Sequence, residues 1–507
     1  MTSDSTDSPT HRAAAGGDQQ RGHPAYDLLI KNVRLVRPGA DATPLADVGI
    51  KDGRIAAVAP HLAAADAHTV QDGRGHYAFP GLVDAHMHVG IYSPLEDDAV
   101  TESKAAAMGG VTSALTYFRT GDYYLNMGGP YRDFYPEVLR RSAGRYWVDY
   151  AYHLAPINRS HIDEMPMLLD EHGVSSFKIF MFYGGHGLHG RSATQRNFLH
   201  LEDGESYDFA HFEFIMRKLA EMIESHPDKR EQISLSLHCE IADILNAYTA
   251  MVEGEGKLKG LHAYNAARPP HSEGLAVFIA SYLAHETGAA NINLLHLSSR
   301  KALEAALMMR DLFPHIAFKR EVTVGHLLLD VDSDAAKFAK VNPPIRPRED
   351  VEYLWERVVA GDVDWICSDH ACCKAEHKVS QENPDDIWLA KSGFGGTEYL
   401  LSGLFSEGSK RGLSPNRMAE LTSRAPAHRF GLERKGDIAV GFDADLVLFD
   451  PHESFVVRAA DSESGQGYTP FEGQELTGRV KQTYLRGSLV YDNGSVVGPA
   501  TGRYLRG

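Results

Sequence analysis

Cysteine and long apolar runs are scarce in this sequence of 507 residues. Its four cysteines are Cys239, Cys367, Cys372 and Cys373. They offer neither a disulfide framework nor the Cys-x-x-Cys spacing of a zinc site, so we expect a reducing, cytoplasmic environment. Because no apolar run is long enough to cross a bilayer, we expect no membrane partner.

Basic residues are also in the minority, with 51 Lys and Arg against 68 Asp and Glu and a formal net charge of -17. Nucleic acids and anionic membranes select positively charged surfaces, so this balance argues against both as partners. Residues 1–24 are mostly small or polar and contain no apolar segment. We therefore predict that this stretch is a disordered tail and not a signal peptide.

What the chain does contain is a regular alternation of β-rich runs and helical patterns. Apolar residues in the helical stretches recur at three- to five-residue spacing, as at Leu303, Leu307 and Leu312. Eight β-runs in this alternation predict an α/β fold with a (β/α)8 barrel over residues 79–426 and chemistry at the carboxyl ends of its strands. The β-runs are 79–88, 111–118, 146–154, 174–182, 233–238, 292–298, 316–322 and 363–369.

The regions on either side of the barrel, 25–78 and 427–507, are β-rich and contain few helical patterns. Turn signals occur at Asp52 with Gly53 and at Asn493 with Gly494. A β-region this small needs a partner to bury its inner face. We therefore predict that the two regions together complete one small β-sandwich beside the barrel.

The first β-run ends in His86 and His88, which are separated by a single residue. Side chains alternate along a strand, so both imidazoles would project in the same direction from its end. Such a pair is a natural beginning for a metal site. A lone His-x-His pair is nevertheless more often structural, and other parts of the chain must supply the remaining ligands.

Four later runs supply candidates for those ligands. Lys178 lies inside an apolar run, where it either pairs with a core carboxylate or reacts with carbon dioxide to give a carbamate that bridges two metal ions. Each of three other runs places a polar residue at or near its end, namely His238, His296 and Asp369. Singly these are ordinary strand-end residues. Together they fall at one end of successive barrel strands, which predicts a metal site there.

These residues belong to a series of motifs that resembles the amidohydrolase superfamily, and within it the cyclic amide hydrolases: dihydropyrimidinase, hydantoinase, allantoinase and dihydroorotase. The resemblance runs from about residue 26 to the C-terminus. Its motifs are Pro-Gly-Leu-Val-Asp-Ala-His-Met-His at 80–88, Gly-Gly-Val-Thr at 109–112, Ser-Phe-Lys-Ile-Phe-Met at 176–181, His-Leu-Ser-Ser at 296–299, Asn-Pro-Pro-Ile-Arg at 342–346, Ser-Asp-His at 368–370, Ala-Pro-Ala at 425–427, Gly-Phe-Asp-Ala-Asp-Leu-Val at 441–447, Thr-Pro-Phe-Glu-Gly at 469–473 and Gly-Arg-Tyr-Leu at 502–505.

The resemblance implies a binuclear centre of divalent metal ions, usually Zn2+. His86 and His88 match the ligands of one ion, and His238 and His296 match those of the other. Carbamylated Lys178 would bridge the two ions, and Asp369 would complete the coordination of the first. The resemblance also implies a homo-oligomer, either a dimer or a tetramer.

The implied reaction is hydrolysis of a small cyclic amide by a metal-bridging hydroxide. Asp369 would take the proton of the hydroxide and pass it to the departing ring nitrogen. Tyr183 matches the tyrosine that donates to the developing oxyanion, although a core aromatic is its simpler interpretation. Asn342 and Phe394 match positions whose main-chain groups bind the amide of the substrate.

The motifs point to different substrates. The stretch 177–183 resembles hydantoinase and dihydropyrimidinase, the motifs at 296–299 and 469–473 resemble allantoinase, and the motif at 342–346 resembles dihydroorotase. Gly90 stands where dihydroorotase has the arginine that binds the substrate carboxylate. Because burying an unpaired carboxylate is costly, we expect a neutral ureide or imide ring, unless Arg119 replaces that arginine.

Three local departures from the family pattern suggest a specialised pocket. Cys239 follows His238 where alanine is usual, and Cys372 with Cys373 stands where a proline is common. The stretch 184–190 is rich in glycine and histidine and would form either a mobile lid or a solvated turn.

Two other classes of protein compete with this interpretation. A mononuclear deaminase on the same barrel would not need Lys178. A non-catalytic scaffold related to dihydropyrimidinase would have lost ligands, whereas all six ligand positions are intact in this sequence.

Overall fold

A computed structural model describes residues 24–183, 185–188, 197–201 and 204–507. The predicted N-terminal tail, apart from Pro24, lies outside the described residues. None of the described helices combines the length and the apolar character needed to cross a bilayer.

The strands, numbered in chain order, form two sheets. They are β1 Tyr26–Leu35, β2 Leu45–Lys51, β3 Arg54–Ala59, β4 Ala67–Asp72, β5 Tyr77–Pro80, β6 Leu82–Met87, β7 Val111–Phe118, β8 Asp149–Leu154, β9 Ser176–Phe180, β10 Ser234–His238, β11 Asn291–Leu294, β12 Ala317–Thr323, β13 Trp365–Cys367, β14 Leu446–Val456, β15 Glu475–Leu485, β16 Ser488–Asp492 and β17 Ser495–Val496.

Helices fill most of the connections between the barrel strands. They are α1 Leu95–Met108, α2 Tyr131–Ser142, α3 Arg159–His172, α4 Phe209–Ser225, α5 Ala242–Glu255, α6 Gly260–Ala267, α7 Pro270–Thr287, α8 Arg300–Leu312, α9 Val324–Leu328, α10 Arg348–Ala360, α11 Ala375–Lys378, α12 Leu400–Lys410, α13 Pro415–Ala419 and α14 Ala425–Arg429, with a π-helical turn at Glu420–Arg424 between the last two.

Strands β6 to β13 form an eight-stranded parallel sheet in sequence order, as the alternation of β-runs predicts. The sheet curls round until its two edges meet, where Met87 bridges to His370 and the His88 amide donates to the His370 carbonyl at 2.7 Å. All eight residues of β7 are buried, because helices cover the outside and side chains fill the inside. The predicted (β/α)8 barrel is confirmed.

The remaining nine strands form a mixed sheet built from both ends of the chain, which confirms the predicted terminal β-region. Strand β5 pairs with β1 on one side and with β14 on the other, and its chain continues directly into barrel strand β6. Both predicted turns join adjacent antiparallel strands with positive φ values: +50° and +74° at Asp52 and Gly53, and +46° and +102° at Asn493 and Gly494. The division of the chain at residues 24, 78 and 426 stays a prediction.

Helix α8 shows which part of its predicted apolar pattern faces the barrel. Leu303, Ala306 and Met309 are buried, whereas Leu312 is 61% exposed. The sequence pattern therefore places the inner face of α8 correctly but assigns its last residue to the wrong side.

Candidate metal centre

Six polar side chains predicted as metal ligands meet at the carboxyl end of the barrel. Strand β6 contains His86 and leads to His88, β9 contains Lys178, β10 ends at His238, β11 leads to His296, and β13 leads to Asp369. Five of the six residues are buried, and the Asp369 side chain is 11% exposed. The structure thus brings the whole predicted set into one cluster.

The first half of the cluster surrounds the amine of Lys178. Its Nζ atom lies 2.5 Å from Nε2 of His86 and 3.2 Å from Nε2 of His88. The Oδ1 atom of Asp369 lies 3.0 Å and 3.3 Å from the same two imidazole nitrogens. Two imidazoles, an amine and a carboxylate therefore converge on one small volume.

The second half contains His238 and His296, whose ring centres are 4.4 Å apart. The ring of His296 is also 5.4 Å from that of His86, which joins the two halves. The Nδ1 atoms of His238 and His296 are buried without a hydrogen-bond partner among the described residues. Buried imidazole nitrogens normally have a partner, and imidazole and carboxylate groups are ligands that zinc prefers. These residues therefore fit a divalent metal site.

The backbone supports the same conclusion at two of these positions. His296 and Asp369 have φ values of +34° and +52°, in the left-handed region that non-glycine residues rarely adopt. Such a conformation costs about 1–3 kcal/mol and persists only where the surrounding structure imposes it. The packing at the end of the barrel therefore fixes the direction of both side chains.

Electrostatics sets the protonation states that metal binding requires. Burial lowers the pKa of His88 to about 3 and that of His238 to about 4, so both imidazoles are neutral at neutral pH. Burial also lowers the pKa of Lys178 to about 8. Burial disfavours the charged form of Asp369, but the neighbouring His86 reverses this effect and holds the pKa of the carboxyl well below its usual range.

Two partners of the cluster were not predicted from the sequence. Glu321 accepts a hydrogen bond from Nδ1 of His86 at 2.8 Å and is itself held by Nε1 of Trp365 at 2.8 Å. The hydroxyl of Tyr124 lies 2.9 Å from Nδ1 of His88. Contacts of this kind fix the tautomer and orientation of a ligating imidazole.

A third such contact holds His238. Its Nε2 atom lies 2.6 Å from Oε2 of Glu240, and Arg268 donates two hydrogen bonds to the same carboxylate. All three residues are buried. Glu240 follows His238 by two residues. Arg268 lies on the loop after α6, and no local signal connects it with the site.

A cleft opens onto the cluster. Its walls include His88, His296 and Asp369 from the cluster. The other walls include Phe180, Tyr183, Asn342, Ser392 and Gly393. Small-molecule sites combine such an apolar enclosure with a few polar groups that fix the orientation of the ligand.

Tyr183 lies in this wall, stacked on Phe180 with ring centres 4.5 Å apart. Burial raises the pKa of its phenol to about 12, so the hydroxyl remains a hydrogen-bond donor at neutral pH. Tyr183 is thus a packed aromatic that lines the cleft and carries a protonated hydroxyl.

Asn342 and Phe394 take different positions relative to the cleft. Asn342 lines it, while its side chain accepts from the hydroxyl of Tyr264 at 2.5 Å and donates to the Leu188 carbonyl at 2.8 Å. These contacts hold the side chain of Asn342 in place beside the cleft. Phe394 is not among the described residues that line the cleft; its ring packs against Phe471 with ring centres 6.1 Å apart.

Gly90 and Arg119 bear on the charge that the cleft accepts. A side chain at Gly90 would meet Leu95 at 3.1 Å, and the φ of this glycine is +85°, so the position has no room for an arginine. Arg119 is buried beneath the rings of Tyr124, Tyr183 and Phe198, and Nη1 donates to the Thr120 carbonyl at 2.8 Å. It is not among the described residues that line the cleft.

The unusual residues near the site fall in different places. Cys239, Cys372 and Cys373 are free and buried. In the stretch 184–190, residues 184, 189 and 190 lie outside the described residues. His186 is buried, with Nδ1 2.7 Å from Oδ1 of Asn246, which contradicts a solvated turn at this residue.

Comparisons with known proteins agree with this geometry. The model of the amidohydrolase family matches residues 77–490. An allantoinase of Rubrobacter xylanophilus is 32% identical over 491 residues, covering 95% of this chain and 98% of that protein. An allantoinase of Escherichia coli O1:K1 is 30% identical over 474 residues, covering 92% and 96%.

Solved structures give the same result. A dihydropyrimidinase from Brevibacillus agri superposes with a TM-score of 0.80 at 27% identity, covering 94% of this chain and 98% of that chain. An L-hydantoinase (dihydropyrimidinase) from Arthrobacter aurescens superposes with a TM-score of 0.81 at 25% identity, covering 94% and 99%. The chain belongs to the amidohydrolase family, as its motifs predict.

Proposed function

We propose that this protein hydrolyses a neutral cyclic amide, a ureide or imide ring of the kind found in allantoin, hydantoin and dihydropyrimidines. The observation that carries the proposal is the cluster of six potential ligands beneath a cleft that Tyr183 lines. The relatives support it, since they are allantoinases, hydantoinases and a dihydropyrimidinase.

The proposed cofactor is a pair of divalent metal ions, best matched by Zn2+ because the donors are nitrogen and oxygen atoms. His86 and His88 would hold one ion with Asp369, and His238 and His296 would hold the other. The neutral amine of Lys178 would attack carbon dioxide, forming an N–C bond and releasing one proton, and the carbamate oxygens would serve both ions. When bound, the ions would activate a water molecule and polarise the substrate carbonyl.

The residues of the chain have separate roles in this proposal. Asp369 accepts a proton at its carboxylate from the attacking water and returns it to the ring nitrogen as the amide bond breaks. The Tyr183 hydroxyl donates to the oxygen that becomes negatively charged. The main chain of Asn342 orients the amide of the substrate together with the main chain of Phe394, and the neighbouring Ser392 and Gly393 line the cleft beside them.

The alternatives are less well supported by the structure. A dihydroorotase-type pocket needs a cation for the substrate carboxylate, and Gly90 leaves no room for one. A mononuclear deaminase has no use for Lys178, whose amine here contacts two of the proposed ligands. A non-catalytic scaffold would not need the cleft and the intact ligand set together.

A substrate panel tests the proposal. Turnover of allantoin, hydantoin, dihydrouracil, simple cyclic imides and dihydroorotate is measured with the metal-loaded protein. We expect allantoin to give the highest kcat/KM, because the allantoinase relatives cover nearly the whole chain. Protein treated with a chelator serves as the control and should be inactive until Zn2+ is added. A kcat/KM for dihydroorotate above those of the neutral rings would contradict the proposal.

We also propose that the chain forms a homodimer or homotetramer. The C-terminal segment packs on the barrel of its own chain, where the Leu505 amide donates to the Tyr150 carbonyl at 2.7 Å. This segment therefore does not extend away from the chain towards a neighbouring subunit. Support comes from the adjacent helices α7 and α8, which expose Leu275, Tyr282, Met308 and Leu312. Light scattering at micromolar concentration should give the mass of a dimer or tetramer, and a purely monomeric mass would reject this proposal.

A further inference from the structure

The wall of the cleft formed by Ser392 and Gly393 belongs to a long connection with little regular structure. Between β13 and α12 the described elements include only the four-residue helix α11 and a short turn at Thr397–Tyr399. An irregular segment of this kind cannot satisfy its own carbonyl groups through a helix or a sheet. Side chains must therefore fix its main chain where the geometry matters.

Lys378, at the end of α11, supplies one such contact. Its side chain is fully buried, and Nζ donates to the Gly393 carbonyl at 2.6 Å and to the Lys340 carbonyl at 3.0 Å. The Gly393 amide donates to the same Lys340 carbonyl at 2.9 Å. One ammonium group thus ties together two segments that lie far apart in the sequence.

Both tied segments lead directly into the wall of the cleft. The residues after Lys340, Val341 and Asn342, line the cleft. Gly393 itself and the preceding residue, Ser392, line it as well. The hydroxyl of Ser392 also reaches Oδ1 of Asn342 at 3.4 Å. A shift of the Lys378 ammonium would therefore move the main chain on two sides of the bound ring.

A second buried lysine holds the chain just before Ser392. The Nζ atom of Lys340 donates to the carbonyls of Ile387 at 2.8 Å and Ala390 at 2.6 Å, with Trp388 at 3.3 Å. Lys340 is 0% exposed. The two lysines together fasten both ends of the stretch that approaches the cleft.

The environment of Lys378 is costly for an amine. Among the described residues it has no ion pair with a carboxylate, and burial lowers the pKa of its amine to about 7 although Cys373 acts in the opposite direction. A buried amine without a carboxylate partner is unfavourable, and an apolar side chain of similar length would fill the same space. Its presence is explained by the two carbonyls that it holds in place.

We propose that Lys378 is a positioning residue for substrate binding, which fixes the main-chain groups of Asn342 and of Ser392 with Gly393 against the ring of the substrate. Lys340 supports the same wall from its other side. The proposal rests on the proposed function of the cleft but places neither lysine in contact with the reacting atoms. It predicts an effect on substrate affinity rather than on the chemical step.

The test compares Lys378→Met with Lys229→Met in the full-length, metal-loaded protein. Lys229 is a suitable control because its amine also donates to a main-chain carbonyl, that of Gly507 at 3.0 Å, away from the cleft. Because two hydrogen bonds to main-chain carbonyls are lost, Lys378→Met should raise KM about tenfold or more while kcat changes by less than about threefold. Metal content should be unchanged, and Lys229→Met should leave KM unchanged.

Hydrogen exchange provides a measurement that needs no substrate. In Lys378→Met the amides of 340–342 and 391–393 should exchange at least about tenfold faster than in the native protein, because local opening becomes easier. If the substrate panel finds no substrate, the proposed function is wrong. The hydrogen-exchange rates still show whether Lys378 holds the main chain of the cleft wall. An unchanged KM, or an unchanged exchange rate, would overturn the role of Lys378. If Lys378→Met does not fold, the same two measurements are made on Lys340→Met. Unchanged KM and exchange rates in that variant would contradict the proposal.

Discussion

Replacing Lys178 with alanine is expected to remove both the bound metal and the hydrolytic activity. The amine of this residue lies within 3.2 Å of Nε2 of both His86 and His88, so its loss removes the proposed bridging ligand. Native protein should contain nearly two ions per chain by elemental analysis. The variant should retain little metal, and its turnover should fall below the limit of detection.

Lys319→Ala is the matched control for this change. Lys319 lies on the neighbouring strand β12 and pairs with Asp364 at 3.2 Å, outside the cluster. We expect this variant to keep both its metal and its activity, since partly exposed ion pairs contribute about 0–1 kcal/mol to stability. A Lys178→Ala protein that is fully active and loaded with metal would end the carbamate hypothesis.

Asp369→Asn is expected to lower kcat by more than about a thousandfold, because asparagine keeps the shape of the side chain but cannot accept a proton. The carboxylate lies within 3.3 Å of Nε2 of both His86 and His88, so the substitution also weakens a metal ligand. Turnover and metal content must therefore be measured on the same preparation. A low kcat at full metal occupancy would separate proton transfer from metal loss.

Asp364→Asn is the control for Asp369→Asn, because Asp364 lies at the opposite end of strand β13. Asp364 precedes β13 and pairs with Lys319 and Arg320, away from the cleft. Asp364→Asn should change the melting temperature more than it changes turnover. If Asp369→Asn retains more than a tenth of the native turnover, Asp369 is not the proton shuttle.

The barrel was predictable because its strands are buried on both faces and read as short apolar runs between helical patterns. The eight predicted runs match β6 to β13, with errors at their ends. The run at 146–154 is one example: Tyr146 is buried against Tyr150, with ring centres 4.2 Å apart, but the strand begins only at Asp149. Apolar residues that pack beside a strand cannot be distinguished by pattern from residues within it.

The candidate ligands were predictable because each lies at the end of a recognisable run. Their partners were not. Tyr124 and Glu321 reach His88 and His86 from other parts of the barrel, and only the closed fold brings them together. The match of Phe394 to a substrate-binding position stays a prediction; its neighbours Ser392 and Gly393 are among the described residues that line the cleft.

The position of β5 between β1 and β14 has a consequence for biosynthesis. Strand β5 runs straight into β6, which carries the first two candidate ligands, yet its second partner, β14, is translated only after the whole barrel. A nascent chain on the ribosome therefore exposes all eight barrel strands before β5 can pair with β14. Completion of the nine-stranded sheet therefore has to wait until β14 to β17 have left the exit tunnel.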